Sequence, residues 1–151
     1  MATRLVKRVA AMAFVAAGIG GFQLVAAGPA SADPLVSILA NPVCTKSVTY
    51  QGALVPAAAN GSVNCGMVRG ANSEGVSRLQ DTLNDCYRSA LEDIEVYPLR
   101  IDGDFGGNTE KALKKVQSIS GTGADGMYGP LTRKAIRHVD PDYGDPCRRV
   151  S

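Results

Sequence analysis

Histidine is scarce in this chain, and that scarcity excludes several kinds of active site. His138 is the one histidine among 151 residues. A catalytic zinc site takes two or three histidines with a carboxylate, and one imidazole cannot supply that set. A serine or cysteine nucleophile needs a base that is itself held by an acid. His138 is expected at the end of a helix, where the dipole favours a cation, and is interpreted as structural or solvated. We expect no metal and no cofactor.

Apolar runs of membrane-spanning length are absent beyond the first 32 residues. A basic start (Arg4, Lys7 and Arg8) precedes an apolar run over residues 9–27, and Ala30-Ser31-Ala32 follows it. A membrane helix is the alternative, but three glycines dilute the run and the small-residue cleavage pattern comes directly after it. Residues 1–32 are therefore predicted to be a signal peptide of a secreted protein. No cysteine lies at the cleavage point, so a lipid anchor is not indicated, and no membrane contact is expected after signal removal.

Closely spaced cysteine pairs are also missing. The chain has Cys44, Cys65, Cys86 and Cys147 without a Cys-x-x-Cys spacing, so in an exported protein two disulfides fit better than a metal site. Three pairings are possible. We expect Cys44–Cys65, which would close a local hairpin, and Cys86–Cys147, which would tie the first helix to the tail.

Excess positive charge is lacking once the leader is set aside. Three of the 16 Lys and Arg residues lie in it, whereas all 14 Asp and Glu follow it, which leaves a net charge of −1. A surface that binds nucleic acid is therefore not indicated. The remaining length suits one domain with a modest core, and we expect a monomer.

The chain does contain an internal repeat. Residues 102–113 read DGDFGGNTEKAL and residues 125–136 read DGMYGPLTRKAI, with six of the twelve positions identical. Each copy opens with Asp-Gly, a tight-turn pair, followed by an aromatic residue and a second glycine. A threonine (Thr109 or Thr132) then falls in the first helical turn, where its hydroxyl can meet unpaired N–H groups. Each copy is thus predicted to be a turn that starts a helix.

This doubled pattern, preceded by Leu79-Gln80-x-x-Leu83, resembles the peptidoglycan-binding domain of the three-helix type that is appended to bacterial cell-wall hydrolases. The resemblance covers residues 74–139. It implies a mainly α fold, a three-helix bundle with an internal turn-helix repeat.

The resemblance also implies a ligand site. If the copies pack as in the family, a shallow groove brings together Asp104, Asn108, Thr109, an exposed edge of Tyr128, and Arg133. The alternative is that the turn residues and aromatics only build the fold and that the basic residues form a solvated face. Arg133 stands where the family frequently has Trp, so a charge contact would replace a stacking contact.

Apolar residues at three- and four-residue spacings predict the three helices. The first begins near Ser73 or Glu74, and the second ends at Gly121. The third is predicted to run to Val139, with Leu131 inward and Arg133 outward. The helical domain is accordingly placed at residues 73–139.

A small disulfide-closed β-hairpin is predicted before the helices, in an N-terminal extension over residues 33–72. Residues 47–50 have strand chemistry, Asn60-Gly61 is a turn pair, and residues 62–65 are expected to return as the second strand. Pro56 would make the hairpin irregular. Residues 140–151 form the predicted C-terminal tail.

Two other interpretations of the first copy are weaker. Acidic and amide residues alternate from Asp102 to Glu110 as in an EF-hand loop, but Leu113 at the twelfth place removes the bidentate carboxylate. A glycosidase needs only two carboxylates, but Asp102 and Asp125 are assigned to turns, and a packed three-helix module leaves little room for a glycan cleft. No catalytic residue is therefore assigned, and the chain is predicted not to be an enzyme.

The expected function is non-catalytic binding of bacterial cell-wall peptidoglycan by a secreted, extracellular or wall-associated module. The alternative is a secreted interaction protein that inhibits or regulates an extracellular hydrolase through the same fold and the hairpin. A secreted wall hydrolase is then the expected protein partner.

Overall fold

The computed structural model describes residues 41–142 and 147–151. The predicted signal peptide and residues 33–40 lie outside this range. Within it, a hairpin comes first, three helices follow, and a second pair of short strands ends the chain. The elements are β1 (Cys44–Tyr50), β2 (Ala53–Ala58), α1 (Glu74–Glu92), α2 (Gly107–Ile119), α3 (Pro130–Ala135), β3 (Arg137–Val139) and β4 (Cys147–Arg149).

The hairpin β1–β2 is antiparallel, with Tyr50 opposite Ala53 and Cys44 opposite Ala58. The two residues between the strands, Gln51 and Gly52, both have positive φ, at 50° and 79°, as a two-residue hairpin turn with the right twist requires. The prediction that residues 62–65 form the second strand is therefore wrong. The chain reverses direction earlier, at Gln51 and Gly52. Glutamine is an uncommon residue in such a turn, so the sequence gives little indication of it.

Helix α1 begins where the sequence predicts. Ser73 is its N-cap, and the Ser73 hydroxyl accepts a hydrogen bond from the N–H of Val76 (3.3 Å) and donates to the carbonyl of Cys44 (2.9 Å). A Cβ on Gly75 would lie 2.7 Å from the same carbonyl, so the start of the helix packs directly on the hairpin. Tyr87 has φ −136° and ψ 27°, and α1 kinks there.

Helix α3 is shorter than predicted. It ends at Ala135 and not at Val139; Ile136 is extended (φ −92°, ψ 161°), and β3 follows as an antiparallel partner of β4. The helix stops because the tail, tied to α1 by the Cys86–Cys147 disulfide, supplies a strand for residues 137–139 to pair with.

The orientation predicted for α3 is also wrong. Leu131 faces solvent, with 72% of the residue exposed, while Arg133 is 2% exposed. The tail and the hairpin contribute Ser151 and Tyr50 as contacts of the Arg133 guanidinium. These distant segments cover the side of α3 that carries Arg133.

The core has one main cluster and one small one. The main cluster joins buried residues of α1 and α2, and Ile136 directly after α3, to the first disulfide, both repeat aromatics (Phe105 and Tyr128) and Met67. The small cluster packs Ala53 and Val55 of the hairpin against Val150. Both expected disulfides, Cys44–Cys65 and Cys86–Cys147, are formed. The predicted fold class, three helices preceded by a disulfide-closed hairpin, is confirmed. None of the helices within the described residues has the length and apolar character that crossing a membrane requires.

Candidate functional site

The first turn, residues 102–106, is built around the side-chain amide of Gln80 from α1. Gln80 Nε2 donates to Asp102 Oδ1 (2.9 Å), the carbonyl of Asp104 (2.9 Å) and Thr109 Oγ1 (3.2 Å). Gln80 Oε1 accepts from the N–H groups of Asp102 (3.1 Å) and Gly103 (2.9 Å). Gln80 is 1% exposed. A single buried amide therefore supplies hydrogen-bond partners both to the turn and to Thr109 at the start of α2.

The second turn, residues 125–129, has the same arrangement around Gln117 from α2. Gln117 Nε2 donates to Asp125 Oδ1 (2.7 Å), the carbonyl of Met127 (2.9 Å) and Thr132 Oγ1 (3.0 Å). Its Oε1 accepts from the N–H of Gly126 (2.8 Å). The internal repeat thus extends to hydrogen bonds, and each copy uses a glutamine from the helix before it.

The repeat threonines have a different role from the expected one. The hydroxyl of Thr109 donates to the carbonyl of Asp104 (3.3 Å), and that of Thr132 donates to the carbonyl of Met127 (3.0 Å). Neither helix has a side-chain cap hydrogen bond. The expectation that these hydroxyls meet helical N–H groups is wrong, because the glutamine amides already occupy their acceptor side. No local pattern around either glutamine indicates that its amide will support a turn further along the chain.

A connecting segment, residues 66–72, crosses both turns. Met67 and Tyr128 exchange two backbone hydrogen bonds of 2.9 Å. The N–H of Gly70 donates to the carbonyl of Phe105 (3.0 Å), and the N–H of Phe105 donates to the carbonyl of Ala71 (2.8 Å). The backbones of both buried aromatics are therefore held by one short segment of chain, which itself turns at Gly70 (φ 94°).

The first turn borders an open groove of about 380 Å³, which we call the first-turn groove. It is lined by Gln80, Leu99, Arg100, Asp102, Asp104, Gly106, Gly107, Asn108 and Thr109. Three of the five residues predicted for ligand binding, Asp104, Asn108 and Thr109, come together here. The amide of Asn108 is exposed and makes no hydrogen bond within the described part of the chain. Thr109 is buried, with 2% exposed.

Two carboxylates of this groove already have intramolecular partners. Asp102 accepts from Gln80 and, at 3.0 Å, from the N–H of Asp104. These hydrogen bonds, with a smaller contribution from Arg100, lower the pKa of Asp102 below its ordinary value. Asp104 accepts from the side-chain amide of Asn72. A general acid for glycoside cleavage needs a raised pKa, and Asp102 is shifted in the opposite direction.

The other two predicted ligand residues lie elsewhere and are covered. Tyr128 is 0% exposed, and burial raises the pKa of its hydroxyl. The guanidinium of Arg133 donates to the carbonyl oxygen of Ser151 (2.7 Å) and lies over the ring of Tyr50, 5.3 Å from its centroid. The expectation of an exposed Tyr128 edge beside an outward Arg133 is wrong, because the connecting segment, the hairpin and the tail pack over the second turn.

His138 belongs to the same covered region and is 0% exposed. It lies on β3, not at a helix end, and its Nε2 is 3.0 Å from the carbonyl oxygen of Arg133. Burial is the main reason why the pKa of His138 falls to about 4. The ring is therefore neutral at pH 7 and is not accessible to a substrate in the first-turn groove.

Acidic side chains near the first turn are not arranged for metal binding. Across residues 41–142 and 147–151, no group of three or more His, Cys, Asp or Glu side chains could hold an ion. Glu110, which would belong to a calcium loop, instead meets Lys114 (2.7 Å) and Arg69 (3.4 Å), and Lys114 first, then Arg69, lowers its pKa.

Comparison with known proteins gives one family and one related structure. The family model described as a putative peptidoglycan binding domain matches residues 72–136. The crystal structure of the SleB N-terminal domain is 34% identical in sequence, over 46% of this chain and 85% of that chain, with a TM-score of 0.35. No curated protein matches the chain.

Proposed function

Residues 72–136 belong to the putative peptidoglycan binding domain family, and from this premise we propose that the protein binds bacterial cell-wall peptidoglycan without cleaving it. The observation that carries the proposal is the first-turn groove, which lies inside the family segment. It is open, and it presents the unpaired amide of Asn108 and the guanidinium of Arg100, whose side chain is 88% exposed.

The groove chemistry suits this polymer. Peptidoglycan offers sugar hydroxyls, acetamido groups, and peptide stems with amides and carboxylates. Asn108 can donate two hydrogen bonds and accept others, and Arg100 can receive a carboxylate. Such a groove with a few convergent polar groups is a typical ligand site.

The electrostatics support binding without hydrolysis. Asp102 has a lowered pKa, which disfavours a role as proton donor. The one imidazole, His138, is buried under the second turn. Turbidity of a wall suspension is expected to stay constant in the presence of the protein, and a steady loss of turbidity would contradict this part of the proposal.

Location outside the cytoplasm is part of the proposal. The predicted leader, residues 1–32, and the two disulfides both fit an oxidising compartment. Cell fractionation is expected to recover the chain from the wall or the medium, with an N-terminus at residue 33. Recovery from the cytoplasm with free thiols would contradict it.

Co-sedimentation with purified sacculi tests the proposal directly. The wild-type protein is expected to pellet with sacculi, and Asn108→Ala is expected to weaken binding by about fivefold, the size of one lost exposed polar contact. Asn64→Ala is the matched control, because Asn64 is also exposed but lies outside the family segment and does not line the groove. Wild-type protein that stays in the supernatant while a soluble hydrolase is retained on it would favour the regulatory alternative.

A further inference from the structure

A second groove lies beside the first and shares part of its lining. This neighbouring groove has a volume of about 280 Å³ and is lined by Arg69, Gly70, Ala71, Asp104, Phe105, Gly106 and Gly107. Asp104, Gly106 and Gly107 line both grooves. The two depressions therefore meet at the two glycines.

Neither glycine is explained by backbone conformation or by crowding. Gly106 has φ −85° and ψ −173°, an extended conformation that other residues adopt readily. A Cβ on Gly106 would meet nothing within 4 Å, and one on Gly107 would lie 3.7 Å from Arg69 Nη2, an ordinary contact. By contrast, Gly103 has φ +77°, and its Cβ would lie 3.0 Å from Ser77 Oγ. Gly103 is required by the turn. Gly106 is the N-cap of α2, a position that favours glycine over alanine or leucine, and at both Gly106 and Gly107 the missing side chain also leaves the surface bare.

The rims on either side of this bare surface carry arginines. The side chains of Arg69 and Arg100 are 69% and 88% exposed. Their carboxylate partners, Glu110 at 3.4 Å and Asp102 at 3.7 Å, form long, solvated ion pairs that are easily exchanged. Each guanidinium can therefore turn to a carboxylate of a ligand at little cost.

Aromatic surface is missing from both grooves. Phe105 is the one aromatic among their lining residues, and it is 1% exposed. A sugar ring would find no aromatic face to stack on. The grooves instead present two arginines, an amide and a bare backbone. This combination suits an extended peptide with carboxylates.

We propose that Gly106 and Gly107 join the two grooves into one track that takes an extended, carboxylate-bearing peptide, the stem peptide of peptidoglycan. The inference rests on the proposed function and specifies the part of the polymer that is bound. The peptide lies across the glycines, Asn108 pairs with one of its amides, and Arg69 and Arg100 receive carboxylates at the two sides.

A size series at Gly106 tests the track. Alanine and leucine are similarly poor N-cap residues, so Gly106→Ala and Gly106→Leu should have similar melting temperatures, and only leucine fills the track. Gly106→Leu is expected to weaken sacculus binding by about tenfold or more through steric exclusion, while Gly106→Ala stays close to wild type. Gly123→Leu is the control, because a Cβ there also meets nothing within 4 Å and Gly123 lines neither groove.

Defined fragments test the ligand class. Soluble muropeptides that carry stems are expected to bind in calorimetry, and glycan strands stripped of stems are not. Arg69→Gln and Arg100→Gln are each expected to weaken muropeptide binding by about fivefold, whereas Arg88→Gln, which changes an exposed arginine on α1 outside both grooves, should have no effect.

These experiments test the proposed function and the track separately. Wild-type protein that fails to bind sacculi refutes the proposed function. Wild-type protein that binds sacculi while Gly106→Leu binds equally well refutes the track, and binding of stem-free glycan as tight as that of muropeptides refutes the peptide assignment. In either of the last two cases the proposed function stands.

Discussion

The two turns of the repeat share all but one of their internal glutamine hydrogen bonds, the extra one joining the N–H of Asp102 to Gln80, but they have opposite surroundings. Gln80 and Gln117 hold them in equivalent ways. The connecting segment holds both turns, but the first turn is open to solvent along the first-turn groove, whereas the second is covered beside Arg133 by the tail and the hairpin. The local sequence determines the shape of a turn, and distant segments of the chain determine whether that turn is available to a ligand.

Equivalent positions in the two copies show how far this difference goes. Asn108 corresponds to Leu131, so an exposed amide in the first copy becomes an exposed apolar side chain in the second. Glu110 corresponds to Arg133, which is buried. The second copy thus lacks the polar character that a peptide-binding groove needs, and it serves instead to attach the hairpin and the tail.

The largest predicted effect concerns the tail that covers the second turn. The Cys86–Cys147 disulfide closes a separation of 61 residues, so replacing both cysteines with alanine is expected to lower the free energy of unfolding by about 4 kcal/mol on the loop-entropy model. Urea titration measures the loss, and hydrogen exchange should accelerate at the N–H of Arg133, whose side chain contacts the tail, much more than at the N–H of its repeat equivalent Glu110. Replacing the Cys44–Cys65 pair, whose residues are 21 positions apart, is the comparison. This replacement should lower the free energy of unfolding by about 1 kcal/mol less. Equal acceleration at both amides would contradict the view that the tail covers only one turn.

An intermediate effect is expected from the two glutamines. Gln80→Leu and Gln117→Leu each leave buried turn groups without partners, and each should lower the free energy of unfolding by about 3 kcal/mol. The two losses, measured by urea titration, should be similar because the networks differ by one hydrogen bond, from the N–H of Asp102 to Gln80. At temperatures where both variants are folded, only Gln80→Leu should reduce sacculus binding. A small loss for one glutamine and a large loss for the other would show that the two turns are not energetically equivalent.

The smallest effect is a pH dependence confined to the covered turn. The pKa of His138 is about 4 in the folded protein, below the value of about 6.5 in an unfolded chain. The unfolded state therefore binds the proton first as the pH falls, and the free energy of unfolding should decrease by about 2 kcal/mol between pH 7 and pH 5.

Thermal unfolding of His138→Gln across the same range provides the control. A glutamine amide can still donate to the carbonyl of Arg133 but does not titrate, so most of the pH dependence should disappear. Sacculus binding by the wild-type protein is expected to change little from pH 7 to pH 6, because His138 does not line the first-turn groove. An unchanged slope in His138→Gln would show that other groups control the pH dependence.

The sequence predicts those parts of the molecule that local chemistry controls. Ser73 marks the start of α1 because a hydroxyl there can cap N–H groups, and both turns follow from their Asp-Gly pairs. Asp104, Asn108 and Thr109 lie together because they belong to one short copy. All of these depend on residues that are close in the chain.

The predictions that are wrong concern features that long-range contacts control. The turn at Gln51 is stabilised in part by Ser151, a residue 100 positions away that accepts from and donates to the glutamine side chain. Arg133 is outward by helical periodicity and becomes buried because Tyr50 and Ser151 reach it. Helix α3 ends early because β4 offers strand pairing. No periodicity within one helix could indicate these partners.

The connecting segment has a consequence for where this protein can be cut. The family match begins at residue 72, but Met67, Gly70 and Ala71 supply backbone partners to Tyr128 and Phe105. A fragment trimmed to the family limits would leave those buried peptide groups unpaired, at a cost of about 1 to 3 kcal/mol for each. The connecting segment upstream of the family boundary is thus part of the fold that holds both turns in place.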